Sequence, residues 1–193
     1  MDVITQTPQP QKMNYIAAYG LPKSQSFVET LLGRSLRETE VEAPLDNFEL
    51  RIVDRDKLPL SVQENTPPGF RLYGLVKGTP ANKVGIRLLQ LTDDEYELVR
   101  MVDFGNTVFR SEGAYTFFND RNYYRVHVLR DEIKSTPAQV SEKGEYKIYL
   151  NGDEEAAIKV AEDIRRSWLA ARSPEGQQQP MEQLVPSPHG IEK

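Results

Sequence analysis

The chain contains no cysteine. That absence removes disulfides, thiolate metal sites and cysteine nucleophiles together, and it fits a reducing compartment, so the expected location is cytoplasmic. Histidine is nearly as scarce: the 193 residues hold 2, His127 and His189. No second histidine is placed to pair with either, which argues against a histidine-based triad or a metal cluster. Neither common type of Gly-rich phosphate loop is present. No apolar run approaches the length of a membrane span. The N-terminal MDVITQTPQPQK has no basic start and no apolar core, so it does not read as a signal peptide. Basic residues are in deficit, 24 Lys and Arg against 29 Asp and Glu, for a formal net charge of −5. That balance argues against a general nucleic-acid binder.

What remains is ordinary soluble composition, with 38% hydrophobic and 27% charged residues. The length suffices for one domain with a proper core and some tail. The rest of the chain is organised around Met13–Arg34, MNYIAAYGLPKSQSFVETLLGR. A short apolar strand, Met13–Ala18, runs into a sharp turn at Tyr19-Gly20-Leu21-Pro22, and a helix is expected over Ser24–Leu32. Ser26 with Glu29 fits a capping box, and Ser24 is an alternative cap. Phe27, Val28, Leu31 and Leu32 form the apolar stripe, with Gly33 as the stop. A turn between strand end and helix start gathers unpaired N–H groups that can hold an anion or a carbonyl oxygen. It can equally be a tight structural turn.

Further along, Phe48–Val53 alternates apolar and charged residues, which marks a half-buried strand. Asp54–Gly69 holds Pro59, Pro67 and Pro68 and reads as a long surface loop. Strands are expected at Phe70–Lys77 and Ile86–Leu91. Thr92 and Glu95 then form a capping box that opens a helix running to about Val102, with Tyr96, Val99 and Val102 facing inward. Thr107–Arg121 reads as an aromatic loop. Tyr123–Arg130 and Glu145–Leu150 read as strands, with Tyr124, Val126 and Val128 on one face of the former. A last helix, Asp153–Arg172, carries an apolar stripe of Ile158, Ala161, Ile164 and Trp168. Residues 1–12 and Ser173–Lys193 are polar and proline-bearing, and disorder is expected there. The domain proper therefore spans residues 13–172. The mixed order of elements predicts an α+β fold, a small mixed β-barrel or curled sheet with surrounding helices.

One acid stands out. Asp103 ends the second helix beside Gly105, where its side chain is able to point into a cleft. A carboxylate in an apolar cavity can act as a general acid or base.

Several of these pieces, in order over roughly residues 13–131, resemble the gamma-glutamylcyclotransferase-like family. IAAYGLPKSQSFVETLLGR resembles its opening strand, Tyr-Gly-Ser/Thr-Leu loop and following helix. EAPLDNFELRIV resembles the next strand, and FRLYGLVKGTP the strand with the Tyr-Gly-Leu-Val segment. LTDDEYELVRMVDFG resembles the acid-bearing helix, and NYYRVHVLR the closing Tyr-x-Arg-x-x-Val strand. The resemblance implies a small β-barrel that closes a gamma-glutamyl compound to 5-oxoproline and releases an amine or amino acid. No metal and no cofactor are implied; the partner is a small gamma-glutamyl-type ligand, with no nucleic acid and no membrane. It implies Asp103 as the catalytic acid/base, and Tyr19, Gly20, Leu21 and Tyr124 as substrate-binding residues. Two departures are visible. The loop's Ser/Thr hydroxyl is missing, either by replacement with Leu21 or by a one-residue deletion, and Phe104 stands at the strict position of the family's glutamate, with Asp103 as a shortened, displaced equivalent. A non-catalytic relative that keeps the pocket as a ligand- or partner-binding module is the alternative.

Overall fold

A computed structural model describes residues 12–118, 121–138 and 154–174. The expected strand Glu145–Leu150, most of the polar N-terminal arm and most of the C-terminal tail lie outside the described residues.

The local signals act as the sequence suggests. Strand β1, Asn14–Ala18, leads into a 3-10 turn at Leu21–Lys23 and helix α1, Gln25–Leu32. Ser24, not Ser26, caps α1, accepting from the Phe27 amide, and Gly33 ends it at φ 67. Only a residue without Cβ adopts that left-handed conformation at little cost. After β2 (Glu42–Asp46) and β3 (Phe48–Asp54), a 3-10 turn at Arg55–Lys57 leads to a short helix α2 (Leu60–Gln63). Strands β4 (Arg71–Lys77) and β5 (Lys83–Leu91) follow. Helix α3, Asp93–Val102, begins with the full Thr92–Glu95 capping box. Then come β6 (Phe109–Phe118), β7 (Arg121–Leu129), a two-residue β8 (Thr136–Pro137) and helix α4 (Glu154–Arg172).

These strands make two sheets, ordered β2-β5-β1-β7-β6 and β4-β3-β8. In the first, β1 runs antiparallel to β5, with Ile16 opposite Leu89, and parallel to β7, with Ile16 opposite Arg125. One correction follows. Phe48–Val53 and Phe70–Lys77 were expected in the same sheet as β1 and β7, but they form the second sheet, antiparallel from Phe48↔Lys77 to Asp54↔Arg71. The sheets curl about one shared core of Leu45, Phe48, Leu50, Tyr73, Leu75, Ile86, Leu88, Tyr124 and Val126. Their seam is made by packing: a Cβ at Gly74 of β4 would lie 2.3 Å from Leu129 Cγ of β7. A side chain there would force the strands apart, so glycine is required at the seam.

The outer face of the larger sheet carries the helices. Ile16, Ala18, Leu89 and Leu91 pack against Phe27, Val28 and Leu31 of α1, Leu98 and Val99 of α3, and Ala157 and Ala161 of α4. The aromatic stretch Thr107–Arg121 is a second correction. Most of it is β6, hydrogen-bonded along β7 from Phe109↔Leu129 to Tyr115↔Tyr123. Its Ser-Glu-Gly-Ala centre lacks the apolar alternation of a strand, and pairing with β7 makes it one. The proposed surface loop Asp54–Gly69 likewise holds α2, whose Val62 is buried with Leu58, Leu72 and Val108.

Candidate active site

Asp103 is the last residue of the α3 turn, with φ −90 and ψ 14, and its amide donates to Arg100 O at 3.2 Å. Phe104 and Gly105 follow at φ 56 and 61. A left-handed phenylalanine is strained, and such residues persist where surrounding packing fixes them. The packing here is Phe70, whose ring stands edge-on to Phe104 at 5.9 Å and 89°. This double left-handed turn reverses the chain into β6 and leaves the Asp103 side chain against β7.

There it meets His127. His127 Nδ1 lies 2.7 Å from Asp103 Oδ2, and His127 Nε2 lies 3.2 Å from the Tyr96 hydroxyl on α3. In the neutral tautomer that carries its proton on Nδ1, the ring donates to Asp103 and Nε2 accepts from the Tyr96 O–H. The backbone carbonyl of His127 accepts in turn from the Tyr19 hydroxyl, which ties the end of β1 to the same point. The His127 side chain is 10% exposed and that of Asp103 23%. Asp103 therefore sits at a boundary, held by a buried partner on one side and open on the other. Among the described residues, only its Oδ2 receives a hydrogen bond.

The open side faces a cavity of about 210 Å³ whose wall includes Leu21, Phe70, Tyr73, Asp103, Phe104, Phe109 and, from α4, Val160 and Ile164. A narrower crevice of about 10 Å³, room for roughly one water, lies between Tyr19, Pro22, Asp103 and His127. The Tyr19–Leu21 turn and Asp103 thus share two walls. Gly20 takes φ 65 and ψ −138 and its carbonyl accepts from Lys23 N at 3.1 Å. Pro22 brings no N–H to the turn, and the Leu21 amide, at the start of the 3-10 turn, has no acceptor within it.

Of the sequence candidates, Tyr19, Leu21 and Asp103 converge. Tyr124 does not. It is 1% exposed in the core between the sheets, in edge contact with Tyr15 at 5.7 Å. Alternation along β7 puts it on the face opposite His127. The weaker acids are committed elsewhere: Glu95 to the Thr92 cap and Arg34, Glu97 to Arg172. His127 and Tyr96 are the residues that sequence reasoning missed. A search for a second histidine could not find a carboxylate partner 24 residues away. The readable signal was the period-two face of β7 that leaves His127 opposite Tyr124. Among the described residues no three His, Asp or Glu side chains gather as a metal site, and no helix is long and apolar enough to cross a membrane.

The architecture is α+β, two facing sheets with helices on the outer surface and an acid at a helix end beside a cavity. Comparison with solved structures finds a gamma-glutamyl cyclotransferase at 14% identity and a TM-score of 0.49, covering 80% of this chain and 87% of the other. An uncharacterized protein from Homo sapiens matches at 14% identity and a TM-score of 0.50, covering 80% and 88%. A protein from Arabidopsis thaliana, solved in solution, matches at 17% identity and 0.44, covering 96% and 99%. No protein-family model and no curated protein matches the chain. The uncharacterized human protein, at a TM-score of 0.50, shares the α+β fold described above; at such identity the likeness speaks for the fold alone.

Proposed function

We propose that the protein cyclises a gamma-glutamyl amide to 5-oxoproline and releases the amine, with Asp103 as the proton-transfer group. The observation that carries this reading is the position of Asp103, braced by His127 and opening onto a cavity it shares with Leu21 of the turn. In the reaction the α-amine nitrogen of the glutamyl group attacks the γ-carbonyl carbon. Asp103 takes the proton that this nitrogen loses and delivers it to the leaving nitrogen as the γ C–N bond breaks. The turn amides around Gly20 and Leu21 hold the charged glutamyl end and fix the attack geometry. His127 positions the carboxylate, and its Nδ1–H offsets the charge that changes there.

Incubation with gamma-glutamyl amines and amino acids, read as 5-oxoproline release, tests the reading. Asp103→Asn keeps the shape and removes the base, so activity falls by roughly 10²–10⁴-fold with the fold intact. His127→Gln lowers kcat by about tenfold or more and changes KM less, because it disturbs the orientation of the base and leaves the cavity alone. Activity that survives Asp103→Asn overturns the assignment. A second reading has its own support: Phe104 stands on the cavity wall at the position where the resembling family carries a glutamate. Under it the cavity is a ligand-binding module, and no gamma-glutamyl compound yields 5-oxoproline.

A further inference from the structure

The side chains behind Asp103 bear on how the base is kept ready, and the inference rests on the cyclisation reading. Asp103 can take the proton of the attacking amine only as a carboxylate. Which form it holds depends on the ring beside it. With its proton on Nδ1, His127 donates to Oδ2 at 2.7 Å and leaves Oδ1 as the basic oxygen. With its proton on Nε2 instead, the ring would turn a lone pair towards Oδ2. Two acceptors are held at 2.7 Å only by a proton, so Asp103 would then be the neutral acid. One tautomer of the buried imidazole gives a ready base, and the other gives an idle one.

Tyr96 decides between them. Its hydroxyl stands 3.2 Å from Nε2, and the two rings are tilted at 48° with centroids 6.0 Å apart. A hydroxyl either donates or accepts, so this contact alone does not choose. The charges around Tyr96 do. The Arg100 guanidinium, one turn on along α3, lies 5.9 Å from the centre of the Tyr96 ring. That of Arg125, two residues before His127 on β7, lies 5.7 Å from the same point. Among the described residues neither arginine has a carboxylate partner; Arg100 donates to the Asn106 side chain. Two cations beside a phenol favour negative charge on its oxygen, which strengthens the O–H as a donor and weakens the oxygen as an acceptor. Tyr96 therefore donates to Nε2, and the imidazole proton is left on Nδ1. The Tyr19 hydroxyl bonds the His127 backbone carbonyl, not the ring.

We propose that Tyr96 is a positioning residue for the reaction and that Arg100 and Arg125 act through it. Together they hold His127 as the Nδ1–H tautomer and so present Asp103 to the substrate as a carboxylate.

Nitrogen-15 NMR of the imidazole rings tests this without substrate. The chain holds 2 histidines, so the His127 signals are those lost in His127→Gln. At about pH 8, above the ordinary imidazole value of about 6.5, the ring should show its proton on Nδ1 and Nε2 as a hydrogen-bonded acceptor. Tyr96→Phe should move the Nε2 shift towards that of an unbonded pyridine-type nitrogen. Arg125→Gln, at an exposed position and bonded to neither ring nitrogen, should move it the same way by less. Lost packing alone would not produce that second effect. In turnover, read as 5-oxoproline release, kcat should fall about fivefold in Tyr96→Phe, the weight of one neutral hydrogen bond. It should fall about twofold in Arg125→Gln, with KM changed less in both. A proton on Nε2 in the parent protein overturns the inference. So does an Nε2 shift unmoved by either substitution, or an unchanged kcat in Tyr96→Phe. If no gamma-glutamyl compound yields 5-oxoproline, the cyclisation reading falls, and the nitrogen shifts decide the tautomer by themselves.

Discussion

Glu40 offers a quantitative test of the frame that carries Asp103. Its side chain is 0% exposed. It accepts from Arg34 Nη1 at 2.8 Å and Nη2 at 3.0 Å, from the Arg37 amide at 2.7 Å and from the Gln90 amide at 2.9 Å. Arg34 continues to Glu95, which closes the capping box of α3. One carboxylate thereby links β5, the segment after α1 and the start of the helix that ends at Asp103. Burial, the largest single influence, pushes the carboxyl up; Arg34 and the two amides together outweigh it and hold Glu40 below its ordinary value of 4.5. Glu40→Gln preserves the shape and removes the charge. Breaking a buried pair from one side costs about 3–5 kcal/mol. Arg34 keeps Glu95, so the lower end applies, about 3 kcal/mol at pH 7, or a fall in Tm of roughly 6–12 °C for a chain of this size. The pH dependence follows from the lowered value. The contribution of the carboxylate is complete above about pH 4.5, the unfolded value, and is lost as pH falls through the folded one. Urea unfolding of both proteins from pH 7 downward checks this. The gap should hold steady near neutrality and close in acid, where protonated Glu40 resembles Gln. A gap under about 1 kcal/mol at pH 7, or one that does not narrow in acid, would refute the reasoning.

Two smaller predictions concern the seams. Gly74→Ala sets a methyl against Leu129 and should cost about 1–3 kcal/mol by chemical denaturation; a neutral result would mean that β4 and β7 are not in close contact. Arg165 on α4 donates to the carbonyl oxygens of Leu31 and Leu32 at the end of α1, at 3.3 and 2.8 Å. Arg165→Ala should cost about 1–2 kcal/mol. Its guanidinium also fills the space that a Cβ at Gly33 would need, 2.4 Å away. Gly33→Ala should therefore cost less in the Arg165→Ala background than alone, and additive losses in a double-mutant cycle would count against the contact.

The sequence by itself determined the elements whose signals are local. Thr92 and Glu95 open α3 because the two side chains satisfy amides within one turn. Gly20 and Gly33 sit where the backbone takes positive φ. The alternation of Phe48–Val53 and Tyr123–Arg130 marked strands whose faces the core confirmed. The end of α3 was legible enough to single out Asp103. Where local chemistry allowed two answers, as with Ser24 and Ser26, packing chose between them.

Only the tertiary structure decided which strands share a sheet. Edge pairing made strands of Phe109–Phe118, whose Ser-Glu-Gly-Ala centre breaks the alternation, and of Glu42–Asp46, whose own sequence carries little β preference, and it split the expected single sheet into two. It also decided the site. Asp103, His127, Tyr96 and Tyr19 come from a helix end, a strand, a helix middle and a strand exit, and no periodicity in the chain relates them. Their meeting depends on the parallel pairing of β1 with β7 and on α3 crossing the outer face of that sheet. The cavity wall added by Val160 and Ile164 depends on how α4 docks. Hydrogen bonds within a turn are set by neighbouring residues, whereas contacts between distant segments are set by the register of the sheets and the packing of the helices upon them.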